Sequence, residues 1–301
     1  MKERRKMKKF FAGILVALML LGTCACGGKN ADNQLMWELK DGDTTVYLFG
    51  SMHMGTEDMY PLNDKITTAF DKSDYVMFEL KLDEEIPIPE TYNPEGVKLS
   101  NIIGQEMFDK LVAIIQEVDN VTEVSEYEKF TPYMMYVYID ALAYSLAGLK
   151  GDCGVENFLM KIAQEDGKPI LGAEANEQRM RIFNQMDEDA VSNLKRLVDE
   201  DFSIIDKSSY YKDIYMAYRS GDGDTLYNLE GLGAMVLPRD EAMYNITLDR
   251  NVEMADSVEE CIKDGKNVFV AVGLAHLLGD GSVVDLLRLR GYEVTLVSGM
   301  E

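Results

Sequence analysis

The stretch Thr44–Thr56, TTVYLFGSMHMGT, decides how this chain is read. Val46 to Phe49 are β-branched, aliphatic and aromatic residues that suit a strand, Gly50 cuts the run, and His53 stands three residues on. Residues 266–281, KNVFVAVGLAHLLGDG, repeat the phrase: a strand-like run, Gly273, and His276 three residues later. The protein has only two histidines, and both occupy this Gly-x-x-His setting at the mouth of a strand. A glycine there lets the backbone turn sharply or approach a neighbour closely.

Working outward, LMWELKDGDTTVYLFGS (35–51) alternates as a β-hairpin with Asp41-Gly42-Asp43 at its turn. PLNDKITTAFDKS has the spacing of a short helix, and DYVMFEL an apolar strand run closing on Glu79. NIIGQEMFDKLVAIIQEV and TPYMMYVYIDALAYSLAGL read as two helices, the second apolar nearly all round and so expected to be buried. GVENFLMKIAQEDGKPILGAE reads as helix, turn and short strand ending at Glu174, and residues 176–230 as several covering helices. A long helix from Pro238 stops at Asp264-Gly265, followed by strand, helix and strand. The expected fold is α/β (α+β), a layered mixed sheet flanked by helices, with a helical middle region covering one side. In such sheets ligands gather at the carboxyl ends of the strands. If the strands run the same way, His53, Glu79, Glu174 and His276 converge on one rim, as metal binding or acid/base catalysis requires. Arg250 and Asn251 interrupt apolar stripes of the long helix, so burial with partners is expected: a carboxylate at the site, or a tie to a loop.

The chain opens MKERRKMKK and continues FFAGILVALMLLG, a basic segment and an apolar run too short to span a bilayer comfortably, followed by TCACGG. This resembles a bacterial lipoprotein signal with Cys26 as the lipidated residue. The expected organisation is a signal over 1–25, a short tether over 26–34 and one domain over 35–301, exported and held at the membrane. The leader carries six basic residues and one Glu, so its removal takes the net charge from −23 to −28. Such acidity argues against nucleic acid as a partner. Cys153 and Cys261 remain, either as one disulfide or as two buried thiols.

The order WELKDGDTTVYLFGSMHMGT, a Glu after a strand, GKPILGAEANEQ, RSGDGDTL, DRN and FVAVGLAHLLGDGSVVDLLRLRGYEV resembles the TraB/GumN family, which includes PrgY-like pheromone-shutdown proteins and Tiki metalloproteases. The resemblance implies that His53 and His276 are paired active-site histidines and that Glu79 is the acidic residue after the second strand. It makes Glu174 and Gln178 the Glu-x-x-x-Gln feature, and Arg250-Asn251 the Arg-Asn pair. Gly154-Val155-Glu156 stands where many members have Gly-Ile-Asp, which ranks Glu156 below Glu174, and Pro132-Tyr133 where Pro-Trp is common.

The implied activity is a metal-dependent hydrolase, a peptidase acting on short peptides. His53, His276, Glu79 and Glu174 would hold manganese, cobalt or zinc. A remaining glutamate would serve as base, and Arg250 or Asn251 would steady the oxyanion. No HExxH motif is present. The competing readings are a lipid-tethered protein that captures a peptide signal without cleaving it, and a metal-free His/Glu hydrolase. Ser51 is not echoed in the second motif, where Leu274 takes its place, so serine catalysis is disfavoured.

Overall fold

The computed structural model describes residues 32–80, 89–119, 123–200, 202–235 and 241–300. The expected signal and tether, including Cys26, lie almost wholly outside these residues. The hairpin forms β1 (Met36–Asp41) and β2 (Thr44–Ser51), paired from Met36↔Phe49 to Asp41↔Thr44. Gly42, at φ +57°, supplies the left-handed turn residue. Helix α1 (Asp64–Lys72) is capped by Asn63, whose side chain accepts from the amides of Lys65 and Ile66. Strand β3 (Tyr75–Phe78) follows.

The first expected middle helix is two: α2 (Leu99–Ile103) and α3 (Gln105–Gln116). Gly104 between them sits at φ +88°, which no α-helix continues. Helix α4 (Pro132–Leu146) starts with a Thr131 cap and Pro132 in its first turn. It is less buried than its composition promised. Met135, Ile139 and Ala143 are fully covered, while its tyrosines are partly buried, Tyr138 donating its hydroxyl to Asp119 at 2.9 Å.

Next come α5 (Val155–Glu165), β4 (Ile170–Gly172), α6 (Asn176–Asp199), α7 (Ile204–Ser220), α8 (Gly223–Met235) and α9 (Glu241–Lys263). Helix α9 closes at Gly265, φ +69°, and leads into β5 (Val268–Gly273), α10 (Val283–Leu289) and β6 (Val294–Ser298). The expected start of α9 at Pro238 lies outside the described residues.

The six strands order as β4-β3-β5-β2-β1-β6. Strands β4, β3, β5 and β2 are parallel, and β1 is antiparallel to both β2 and β6. This is a mixed sheet in an α/β fold. Its centre is wholly apolar: Val46, Leu48, Phe49, Phe269, Ala271 and Val272 are each 0% exposed. Burial on both faces explains why β5 reads as a continuous apolar run. Helix α4 packs against both α6 and α7 in a helical layer. Cys153 and Cys261 are both buried free thiols. Among the described residues no helix is long and apolar enough to cross a membrane.

Candidate functional site

Because β2, β3, β4 and β5 run in one direction, their carboxyl ends share a rim. Ser51 lies opposite Gly273, Phe78 opposite Ala271, and Phe78 also opposite Gly172. The repeated glycines serve close approach rather than left-handed turning, since neither has positive φ. A Cβ on Gly50 would lie 2.3 Å from Leu274 Cδ1, so the first glycine makes room for the residue that follows the second. The Gly273 amide donates to Glu79 Oε1 at 2.9 Å, and a Cβ there would stand 3.0 Å from that oxygen. Past Gly273 one tight turn, Leu274–His276, buries the histidine over the sheet edge.

Asn251 settles the state of His276. Its amide nitrogen donates to the Gly281 carbonyl at 2.9 Å, so its Oδ1, 2.6 Å from His276 Nδ1, is an acceptor. The proton therefore sits on Nδ1, and Nε2, 4.0 Å from Glu79 Oε1, keeps a bare lone pair. Burial first, then the charge of Arg250, pushes the imidazole down to about 4, so it is neutral near pH 7.

Arg250 Nε and Nη2 donate to the two oxygens of Glu174 at 2.6 and 2.7 Å, and Nη2 also donates to Glu79 Oε2 at 2.8 Å. Burial pushes the Glu174 carboxyl up, and the arginine fork opposes it. Burial acts the same way on Glu79, but His276 when protonated, Arg250, His53 and Arg179 overcome it and hold this carboxyl well below the usual range. With His276 neutral near pH 7, Arg250 is the main counter-charge there.

His53 lies on the outer side, its ring 60% exposed, with Nδ1 2.9 Å from Glu156 Oε1. The Glu156 carboxylate beside it raises its pKa to about 9. Ser51 donates its hydroxyl to the same Glu156 oxygen, so it contacts the carboxylate and not an imidazole base. The sequence around Glu156 is shaped for this contact. Gly154 precedes α5, a Cβ there would lie 2.4 Å from the His53 carbonyl oxygen, and the Val155 amide donates to Met52 O at 2.9 Å.

The sequence-based site residues thus divide into two groups. His53, Glu79 and Glu156 offer ligand atoms all within 4.8 Å of one another, a set of one imidazole and two carboxylates that fits a divalent cation. His276 borders the set through Glu79. Glu174, expected as a ligand, is instead held by Nε and Nη2 of Arg250, and Glu156, ranked below it, takes the place beside His53. The longer arm of Glu156 reaches over from α5, which strand-end logic does not see. Arg250 and Asn251, expected to steady an oxyanion, are occupied by Glu79, Glu174, His276 and Gly281. Gln178 turns to Arg181, which donates to it at 2.8 Å. Arg179 went unread in the sequence: its Nη1 is 3.7 Å from Glu79 Oε2, and its only signal was being next to Gln178.

An α/β sheet whose parallel strands deliver two Gly-x-x-His histidines and strand-end glutamates to one rim defines a class of site-bearing protein. The chain belongs to the TraB/PrgY/gumN family, which it matches over residues 35–296. It is 22% identical over 330 residues to metalloprotease TIKI2 of Xenopus tropicalis, an alignment covering 91% of this chain and 62% of that protein. The chain therefore spans about three-fifths of that relative's length. It is 20% identical over 349 residues to a metalloprotease TIKI homolog of Amphimedon queenslandica, covering 96% and 68% of the two chains. With the uncharacterized protein YbaP of Escherichia coli K12 the identity is 22% over 263 residues, covering 85% and 94%. No solved structure matches the chain.

Proposed function

We propose that the protein is an exported, lipid-anchored, metal-dependent hydrolase of short peptides. The observation that carries this reading is the His53, Glu79 and Glu156 set, with ligand atoms within 4.8 Å of one another at the carboxyl rim of a parallel sheet. The names of the TIKI metalloproteases supply the reaction class. Export and the anchor rest on the basic and apolar leader and on Cys26.

His53, Glu79 and Glu156 would hold the ion, with the bare Nε2 of His276 alongside. When bound, a divalent ion polarises a scissile carbonyl and lowers the pKa of water. Glu79 is kept ionised for this by Arg250, and Gly273 fixes the direction of its Oε1. Glu156 accepts from Ser51 and His53 through Oε1, and among the described residues nothing donates to its Oε2. With His53 deprotonated, Oε1 would be left to the ion and Oε2 would be free to take a proton from the attacking water and return it to the leaving amine. His53 gives up its proton before the site is loaded, because an imidazole ligand must be neutral.

One observation favours a second reading. His53 and Glu156 already form an ion pair at 2.9 Å without a cation, so the pair alone has the parts for metal-free water activation. The deciding experiment is metal content by mass spectrometry on the full chain in detergent, beside the double variant His53→Ala, His276→Ala. Near-stoichiometric manganese, cobalt or zinc in the first and none in the folded second supports the metallohydrolase. No metal in either after incubation with these ions, with hydrolysis surviving a chelator, supports the metal-free pair. No metal and no hydrolysis leaves peptide capture.

A further inference from the structure

Arg179 and Arg250 are the two arginines at the glutamates of the rim, and they are placed differently. Arg250 is 6% exposed and gives hydrogen bonds to two carboxylates. Arg179, in the first turns of α6, has its side chain 23% exposed, and its Nη1 stands 3.7 Å from Glu79 Oε2, beyond hydrogen-bond reach. Glu79 does not need it, since Arg250 serves one oxygen and the Gly273 amide the other. The guanidinium stands over the Phe183 ring, its Cζ 5.8 Å from the centroid. Among the described residues no hydrogen bond joins Arg179's side chain to the protein.

We infer that Arg179 forms a carboxylate-recognising subsite at the mouth of the cluster, selecting short peptides that carry a carboxylate close to the bond to be cut. The inference rests on the hydrolase reading above. A planar fork with unengaged donors matches a carboxylate in bidentate fashion. The chain's net charge of −23 repels anions over most of its surface, so an incoming carboxylate requires a local cation, and Arg250 is already engaged. A group on Arg179 sits beside Glu79, and one residue advances a peptide about 3.8 Å, so a carboxylate there lies close to a bond held at the cluster. The carboxylate comes either from a free C-terminus or from an Asp or Glu side chain.

The test offers the full chain in detergent, with manganese present, three tetrapeptide pools of otherwise equal composition: free acid, C-terminal amide, and amide with one Asp or Glu. Binding is read by calorimetry and cleavage by mass spectrometry. The expected result is about tenfold or greater preference for the free-acid pool over the plain amide pool. Arg179→Gln erases that preference, while the folded variant still binds the plain amide pool and still holds manganese. Arg179→Lys keeps the charge without the fork and retains only part of it. Preference for the Asp/Glu amide pool, lost in the same variants, assigns the carboxylate to a side chain and sustains the subsite. Equal treatment of all three pools by the wild type overturns it, as does a preference that survives Arg179→Gln. Because calorimetry needs no turnover, loss of the subsite and loss of hydrolysis are separate results.

Discussion

Asn251 stands between His276 and Gly281, accepting from the imidazole Nδ1 at 2.6 Å and donating to the carbonyl at 2.9 Å. One side chain thus fixes a tautomer and ties the loop after β5 to helix α9. Asn251→Ala leaves a buried N–H and a carbonyl without partners. We expect a stability loss of about 1–3 kcal/mol and metal binding weakened by roughly 10–100-fold. Denaturant titration and direct metal titration measure the two effects separately.

Arg250 between Glu79 and Glu174 makes a sharper prediction about ligands. Glu174→Gln keeps its metal, because Glu174 is held by the arginine and does not face the cluster. Glu156→Gln and Glu79→Gln lose theirs. Arg250→Ala strands two buried carboxylates, one of them with side-chain exposure of 0%, and costs about 3–5 kcal/mol. The check is metal content of each purified variant together with its urea midpoint. Metal lost from Glu174→Gln but kept in Glu156→Gln would restore the ranking that strand ends alone suggested.

The sequence carried the sheet and much of the rim, for physical reasons that also mark where it stopped. Strand and turn chemistry around Gly42, Gly50, Gly265 and Gly273 is local, so the hairpin, β5 and the stop of α9 were legible. Parallel strands follow from alternating helices, and that placed His53, Glu79, Glu174 and His276 on one edge. Which carboxylate faces which cation is a three-dimensional question. Glu174 and Arg250 are 76 residues apart and Ser51 and Glu156 are 105 apart, and no periodicity records either pairing. Gly104 broke a helix by taking φ +88°, a conformation glycine allows but does not demand.

The glycines of the rim predict a graded series. At Gly154 an added methyl meets the His53 carbonyl oxygen at 2.4 Å, and backbone cannot step aside cheaply. At Gly50 it meets the Leu274 side chain, with Cδ1 at 2.3 Å and Cβ at 3.1 Å, a contact with side chain rather than backbone. Gly154→Ala is therefore expected to cost more than Gly50→Ala, by about 1 kcal/mol or more. It should also disturb the His53–Glu156 pair, seen as loss of metal. Gly273→Ala presses on Glu79 Oε1 at 3.0 Å and should affect metal affinity more than stability. Thermal midpoints and metal titrations of the three variants order them.

The last prediction concerns acid in the chelator-treated protein. His276 is lowered to about 4 by burial, facing Arg250 on α9, Glu79 after β3, His53 after β2 and Arg179 on α6. The unfolded chain binds its proton near 6.5, so between pH 6.5 and 4 the unfolded state holds more protons and stability falls as pH drops. The full effect is about 3 kcal/mol, reached below pH 4. His53 acts in the opposite direction: raised to about 9 by Glu156, its contribution is complete below pH 6.5 and fades as pH rises through 9, weakened by water around the exposed ring. Urea midpoints from pH 4 to 9 should therefore fall on both sides of neutrality. His276→Asn should flatten the acid limb, and His53→Ala the alkaline one. An acid limb unchanged in His276→Asn would mean that the buried imidazole is not the group that acid attacks.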